Sequence, residues 1–279
     1  NLGWLMEAFR QALTLDRRPT EARFNLAFAL LQRGAAAEAA GYLEGLVREN
    51  PGQDQARMAL GIASAETGQL AKAASAFEYL LQRQPDSAQA RAGLAKVRMS
   101  EGRFASAITH LEKAVAVQPG NDEYRLMLGI SYAENRDTGK AIDTLTAFLK
   151  RRPDSALAHF NLATVYARHE QYKEAGEHYR EALRIETGNH VARLSAAKAF
   201  ANVGAHGEAL ALSEPLVNNT PPGLDRYEIH QLRGLAMRHL GRYSEAEAEL
   251  RRAESLRSGN PDTLYNLGFV LAQNKRYEE

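Results

Sequence analysis

The hydrophobic pattern of this chain repeats itself. Small residues recur every 34 positions at Ala39, Ala73, Ala107, Ala141, Ala175 and Ala209. Large residues follow four places later at Leu43, Phe77, Leu111, Leu145 and Tyr179. A second small position runs through Ala27, Gly61, Ala95, Gly129, Ala163 and Ala197, and prolines keep the same interval at Pro51, Pro85, Pro119 and Pro153. A period of this length marks a stack of supersecondary units rather than a single globule. Within a unit the apolar spacing predicts two amphipathic helices of about 13 residues each. The small positions let the two helix backbones approach, and Leu60, Phe77 and Leu80 fill the space beside them. Gly34, Gly68, Gly102, Gly204 and Gly241 are expected to end the first helix of a unit, and the proline to stop the second.

These positions resemble the tetratricopeptide repeat pattern, in which W-x2-L-G-x2-Y is followed by A-x3-F and then P. The match is well seen in Asn161-Leu162-Ala163-x2-Tyr166 and Tyr172-x2-Ala175-x3-Tyr179-x2-Ala182. On this register the repeats run 20–53, 54–87, 88–121, 122–155, 156–189, 190–223 and 227–260. Residues 1–19 read as a leading second helix and 261–279 as a final first helix, so the resemblance covers the whole chain. Arg or His stands at the family's tryptophan position, and Arg233 replaces a usual leucine. The fold implied is all-α: one right-handed superhelical α-solenoid of antiparallel helix pairs over 1–279, about sixteen helices in total. A unit cannot bury its apolar face alone, so stacking makes the core. Two irregularities stand out. The stretch 218–226 adds three residues to the period, and Pro215 lies where it would kink or shorten a second helix and locally break the superhelix.

Composition narrows the function. The 35 Lys+Arg balance 34 Asp+Glu for a net charge of +1, which supplies no field for a nucleic acid. There is no cysteine, hence no disulfide framework or thiolate chemistry. No apolar run reaches the roughly 18 residues of a membrane span, so direct membrane insertion is not expected. The 48 alanines suit closely packed helices. Catalytic signals are missing: His169-Glu170 lacks the second histidine of H-E-x-x-H, Gly139-Lys140 lacks the rest of a phosphate loop, and the histidines are scattered. No enzyme activity, metal or cofactor is expected. The compartment stays open between cytoplasm and bacterial periplasm.

A basic ladder, Arg23, Arg57, Arg91, Arg125, His159, Arg193 and His230, occupies the fourth position of successive units. It reads either as a cationic stripe for an anionic ligand or, preferably, as side chains docked on helix-end carbonyls or on acids such as Glu49 and Asp86. Family geometry places positions two, five, nine, and twelve or thirteen on the inner face. There Phe24, Phe28, Met58, Ile62, Met99, Leu126, Ile130, Phe160 and Leu194 supply apolar surface, and Lys96, Asn161, Thr164, Arg168 and Lys198 supply polar groups. An apolar face of that extent marks a binding site, with Phe24, Phe28, Leu126 and Phe160 as candidate anchors. Two family binding modes fit poorly. The carboxylate clamp of heat-shock co-chaperones fails, because Leu126 and Ile130 precede Asn161 while Val191 and Ser195 follow it. The asparagine ladder of the O-linked N-acetylglucosamine transferase arm survives only at Asn25, Asn161 and Asn266. The expected function is a non-catalytic scaffold that holds a protein or peptide segment. The alternatives are a targeting arm of a larger enzyme, such as a glycosyltransferase, and a bacterial envelope assembly factor. The first and last helices are also expected to permit end-to-end self-association.

Overall fold

The computed structural model describes residues 2–15, 20–218 and 220–275. The sixteen helices along them are α1 (Leu2–Leu15), α2 (Thr20–Gln32), α3 (Ala36–Glu49), α4 (Asp54–Glu66), α5 (Leu70–Arg83), α6 (Ala88–Ser100), α7 (Phe104–Val117) and α8 (Asp122–Glu134). They continue as α9 (Thr138–Arg151), α10 (Ala156–Arg168), α11 (Tyr172–Ile185), α12 (His190–Asn202), α13 (His206–Asn218), α14 (Arg226–His239), α15 (Tyr243–Leu256) and α16 (Pro261–Gln273). No strand occurs among the described residues. Two compact units, Asn1–Thr144 and Leu145–Glu279, divide the chain inside α9.

Within unit 1, helices α1 to α8 each pack on the next, and the first helices α2, α4, α6 and α8 also touch one another. Unit 2 repeats the scheme from α10 to α16, with α14 touching both α12 and α16. Turn chemistry explains the antiparallel pairing. The first helix of a pair ends on a residue with positive φ, followed by an amide that reaches back five residues. Gly68 (φ 75°) precedes Gln69, whose N–H donates to the Ser64 carbonyl at 2.8 Å. The same bond runs from Arg103 to Arg98 and from Arg242 to Met237. This is a Schellman stop, which satisfies otherwise orphaned carbonyls. Two repeats hold it without glycine: Arg136 (φ 64°) and Glu170 (φ 59°) occupy the left-handed position.

Packing inside a pair rests on absent side chains. A Cβ at Gly61 or Gly93 would lie 2.7 or 2.6 Å from the Phe77 ring, so Phe77 is buried between two first helices that must both present glycine. Junctions between pairs use the basic ladder. Arg57 Nη2 donates to the Pro51 carbonyl (3.0 Å), Arg125 Nη2 to Pro119 (2.7 Å) and Arg193 Nη2 to Thr187 (2.8 Å), while His159 Nε2 lies 3.1 Å from the Pro153 oxygen. Arg23 pairs with Glu49 and His230 Nδ1 with Glu249, so these rungs meet carbonyls or acids of their own fold.

Pro215 lies inside α13, which still runs to Asn218 but has 13 residues against 14 in α11 and α15. Nearby, the unusual Arg233 is buried. Its Nη1 is 2.8 Å from Glu214 Oε2 and 3.3 Å from the Ser213 hydroxyl, and its Nε is 3.5 Å from Glu249 Oε1. A guanidinium at a leucine position is thus held by carboxylates on α13 and α15, as a buried charge requires.

Candidate partner-binding surface

In unit 1 the first helices carry two adjoining clefts. One, of about 320 Å³, is walled by Phe24, Phe28 and Leu31 of α2, Met58 and Ile62 of α4, and Leu80 of α5, with Asp54, Gln55, Gln84, Ser87 and Gln89 supplying the polar rim. The other, of about 280 Å³, shares Met58, Ile62 and Gln89 and continues along α6 and α8 through Ala92, Gly93, Lys96, Glu123, Tyr124 and Met127. Helical spacing explains the walls. Phe24 with Phe28 and Met58 with Ile62 stand four apart, on one face of each helix. Phe28 is 51% exposed, whereas Phe24, Met58 and Ile62 are half-buried with their remaining surface in the cleft. The hollow exists because Ala59, Ala92 and Gly93 carry little or no side chain. Phe77 forms its floor through the gap left at Gly93.

Five of the candidate residues therefore meet here: Phe24, Phe28, Met58, Ile62 and Lys96. Met99, Leu126 and Ile130 are half-buried on α6 and α8, outside the walls of both clefts. Leu31, Tyr124 and Met127 line them instead. Leu31 falls on the helical stripe that begins at Phe24, a signal already present in the spacing. Tyr124 and Met127 sit one place off that stripe and had no such signal.

Unit 2 differs. Leu194 is only 5% exposed and packs with Leu216 and Ile229, so its side chain belongs to the core and offers no surface to a partner. Phe160 is half-buried against the Tyr179 ring at 5.6 Å. Thr164 donates to the Phe160 carbonyl at 2.9 Å and lies 3.1 Å from the Tyr179 hydroxyl, whose pKa burial raises. Asn161 spends its amide N–H on the Leu157 carbonyl of its own helix (2.8 Å), and Lys198 Nζ pairs with Glu228 at 2.6 Å. Arg168 is exposed at the end of α10. Lys198 also borders a hollow of about 270 Å³ with Leu232, Leu235 and the imidazoles of His206 and His239. Those two rings stack at 4.5 Å, and burial, the neighbouring His206 and Arg238 together lower the pKa of His239.

Another histidine pair lies on α10 and α11. His159 Nδ1 and His178 Nδ1 are 2.9 Å apart, and Tyr166 stacks on the far face of His178 at 5.7 Å. The Pro153 oxygen can only accept, so His159 carries its proton on Nε2 and receives the His178 Nδ1–H at Nδ1. Among the described residues no group of three or more His, Cys, Asp or Glu could hold a metal ion, and no helix is long and apolar enough to cross a membrane.

Exposed apolar side chains also gather on the first and last helices: Trp4 (74% exposed) and Leu5 on α1, with Leu264, Tyr265 (70%) and Phe269 on α16.

One tetratricopeptide repeat model matches residues 7–54, 126–190 and 232–279, and a second matches 64–130. No curated protein matches the sequence. Solved structures share the fold at low identity. A tetratricopeptide repeat protein from Parabacteroides merdae superposes with a TM-score of 0.62 at 16% identity, over 90% of this chain and 98% of that one. PilW, a type IV pilus biogenesis factor, gives 0.66 at 20% identity over 73% of this chain and 94% of its own. YrrB, described as having an unusual peptide-binding site, gives 0.54 at 20% identity over 67% and 96%. The repeated helix pairs and the family matches over most of the chain agree: this protein belongs to the tetratricopeptide repeat family.

Proposed function

We propose that this protein is a non-catalytic interaction scaffold whose binding groove is the pair of clefts in unit 1, occupied by an apolar segment of a partner protein. The observation that carries the reading is the adjoining walls of Phe24, Phe28, Met58 and Ile62, open to solvent on a face that the repeats themselves do not cover. Apolar pockets with a polar rim are the usual seat of an anchoring side chain. An apolar cavity of about 150 Å³ already holds benzene, so each cleft has room for a leucine or phenylalanine. In unit 2, Phe160, Thr164 and Asn161 are engaged with their own fold, which leaves the unit 1 clefts as the stronger candidate. The peptide-binding description of YrrB is in keeping with this reading.

Selection of random peptides on the intact chain tests it. Selected sequences should be rich in spaced large apolar residues. Phe28→Ala and Met58→Ala should each weaken their binding at least about tenfold, equivalent to ~1.4 kcal/mol, without loss of helicity. Val203→Ala, exposed elsewhere, should leave affinity unchanged. Equal affinity for all three variants would refute the groove.

A second surface has its own observation in Trp4, Leu5, Leu264 and Tyr265. Two copies stacking α1 of one on α16 of the other would cover these side chains. Light scattering should then show a mass that rises with concentration, and Trp4→Ser with Tyr265→Ser should abolish the rise.

A further inference from the structure

One rung of the basic ladder has no holder. Arg57, Arg125, Arg193 and His159 reach carbonyls, and Arg23 and His230 reach acids. The Arg91 side chain makes no hydrogen bond or ion pair among the described residues, either to the Pro85 carbonyl or to Asp86. From the structure we infer that Arg91, His110 and Lys113 form a binding site for a phosphate-class oxyanion on the α6–α7 pair of unit 1. The site stands apart from the groove and does not depend on it.

Repeat register brings these side chains together. In two other repeats the fourth residue touches the one 19 places later on the second helix. His159 Nδ1 lies 2.9 Å from His178 Nδ1, and His230 Nδ1 lies 2.6 Å from Glu249 Oε2. The same two positions in the α6–α7 repeat are Arg91 and His110. For the remaining arginine rungs the second position holds Tyr42, Ala76, Thr144 or Leu212, so only here does an arginine meet another group able to carry positive charge. Lys113 follows His110 by one helical turn on α7, is exposed and enters no ion pair.

Arg91 Nε and His110 Nδ1 are both buried without a hydrogen-bond partner. Arg98, the next cation on α6, is spent on Glu78 at 2.6 Å and Glu101 at 2.9 Å, so these acids leave Arg91 and Lys113 uncompensated. Burial first, and then Arg91, Arg98 and Lys113, lower the pKa of His110, with Glu78 opposing. Buried polar groups without partners call for a water or an ion. Water would satisfy the N–H groups but leave the charges unbalanced, whereas an oxyanion does both. A guanidinium donates two parallel bonds to a phosphate, lysine adds a point charge, and the imidazole donates a further bond as it takes up a proton.

Titration calorimetry of the intact chain with inorganic phosphate, at neutral pH and fixed ionic strength, tests the inference. Phosphate should bind with a Kd of ~1 mM or tighter, and acetate about tenfold more weakly. A phosphoserine peptide that binds more tightly than inorganic phosphate assigns the phosphoryl group to a modified chain, and one that binds no better assigns it to the free ion. Either result upholds the site. Arg91→Gln should weaken phosphate binding at least about tenfold and Lys113→Gln about threefold. Lys113 is exposed, so its variant keeps the fold whatever Arg91 adds to packing. Arg193→Gln, a rung already held by a carbonyl, should leave binding unchanged. In proton NMR the His110 ring should titrate at higher pH with phosphate present, because a bound anion favours the imidazolium. No saturable phosphate binding, binding that survives both Arg91→Gln and Lys113→Gln, an equal loss in Arg193→Gln, or a His110 titration indifferent to phosphate overturns the inference.

Discussion

Phe77 shows how much a single ring can demand of its neighbours. It touches Gly61 on one first helix and Gly93 on the next, closer than any Cβ could tolerate. Gly93→Ala should therefore destabilise the protein by about 1–3 kcal/mol, the usual penalty of overpacking. Gly41 in α3 has no heavy atom within 4 Å of where a Cβ would stand, and Gly41→Ala should stabilise by about 0.5–1 kcal/mol through helix propensity alone. Urea unfolding of both variants checks the pair, and the opposite signs are the informative result. The sequence announces such close approaches, because the small-residue period runs through Gly61. It does not announce that Leu194, at the same repeat position as Phe24 and Met58, turns into the core. That outcome depends on Leu216 and Ile229 crowding it from elements far along the chain. Nor does spacing show a hollow, which needs Ala59, Ala92 and Gly93 to be small together. Leu194→Ala should thus cost about 2–5 kcal/mol, far more than Phe28→Ala.

At the scale of the element, turns and junctions matter more than helix interiors. First helices from α6 onward are capped by side chains, as where Ser87 accepts from the Ala90 amide and Asn189 from Ala192, whereas Gln53 before α4 makes no such bond. Second helices α3, α5, α7, α11 and α15 have no side-chain cap and begin directly after the left-handed stop. Where that stop is Arg136 or Glu170, the strained backbone carries a Cβ penalty that glycine lacks. Arg136→Gly and Glu170→Gly should each gain about 0.5–1 kcal/mol, read from the denaturation midpoint, against the usual trend for glycine. The α10–α11 junction responds to pH. Burial first, and then neighbouring His159, lower the pKa of His178, while Glu177 and Glu181 oppose the shift and Tyr166 covers the ring. The unfolded chain, with histidine near ~6.5, takes up the proton more readily than the folded one. Stability from this group is full above that value, falls as the pH drops through it, and levels once the folded group is also protonated. Denaturation midpoints between about pH 8 and 5 should fall, and His178→Gln should remove part of the fall.

For the whole molecule, contacts follow the order of the chain. Within each unit a helix meets its immediate neighbours, and most first helices also meet the next first helix, so the stability of a unit is close to a sum of repeats and their interfaces. Leu111→Ala in α7, a fully buried site, should speed hydrogen exchange in α6 to α8 while α14 to α16 keep most of their protection. A uniform loss throughout would contradict this. The same linear logic made the fold legible, since every copy must solve one packing problem with residues of the same size. Partner chemistry was less visible, because it depends on which few positions escape that constraint. The basic ladder has a mechanical consequence. Arg57, Arg125 and Arg193 each tie a helix to the carbonyl six residues earlier, so every such bond spans a junction. Under tension applied to the ends of either unit, these ties carry load in series, and the unit should lengthen by discrete steps of one helix pair.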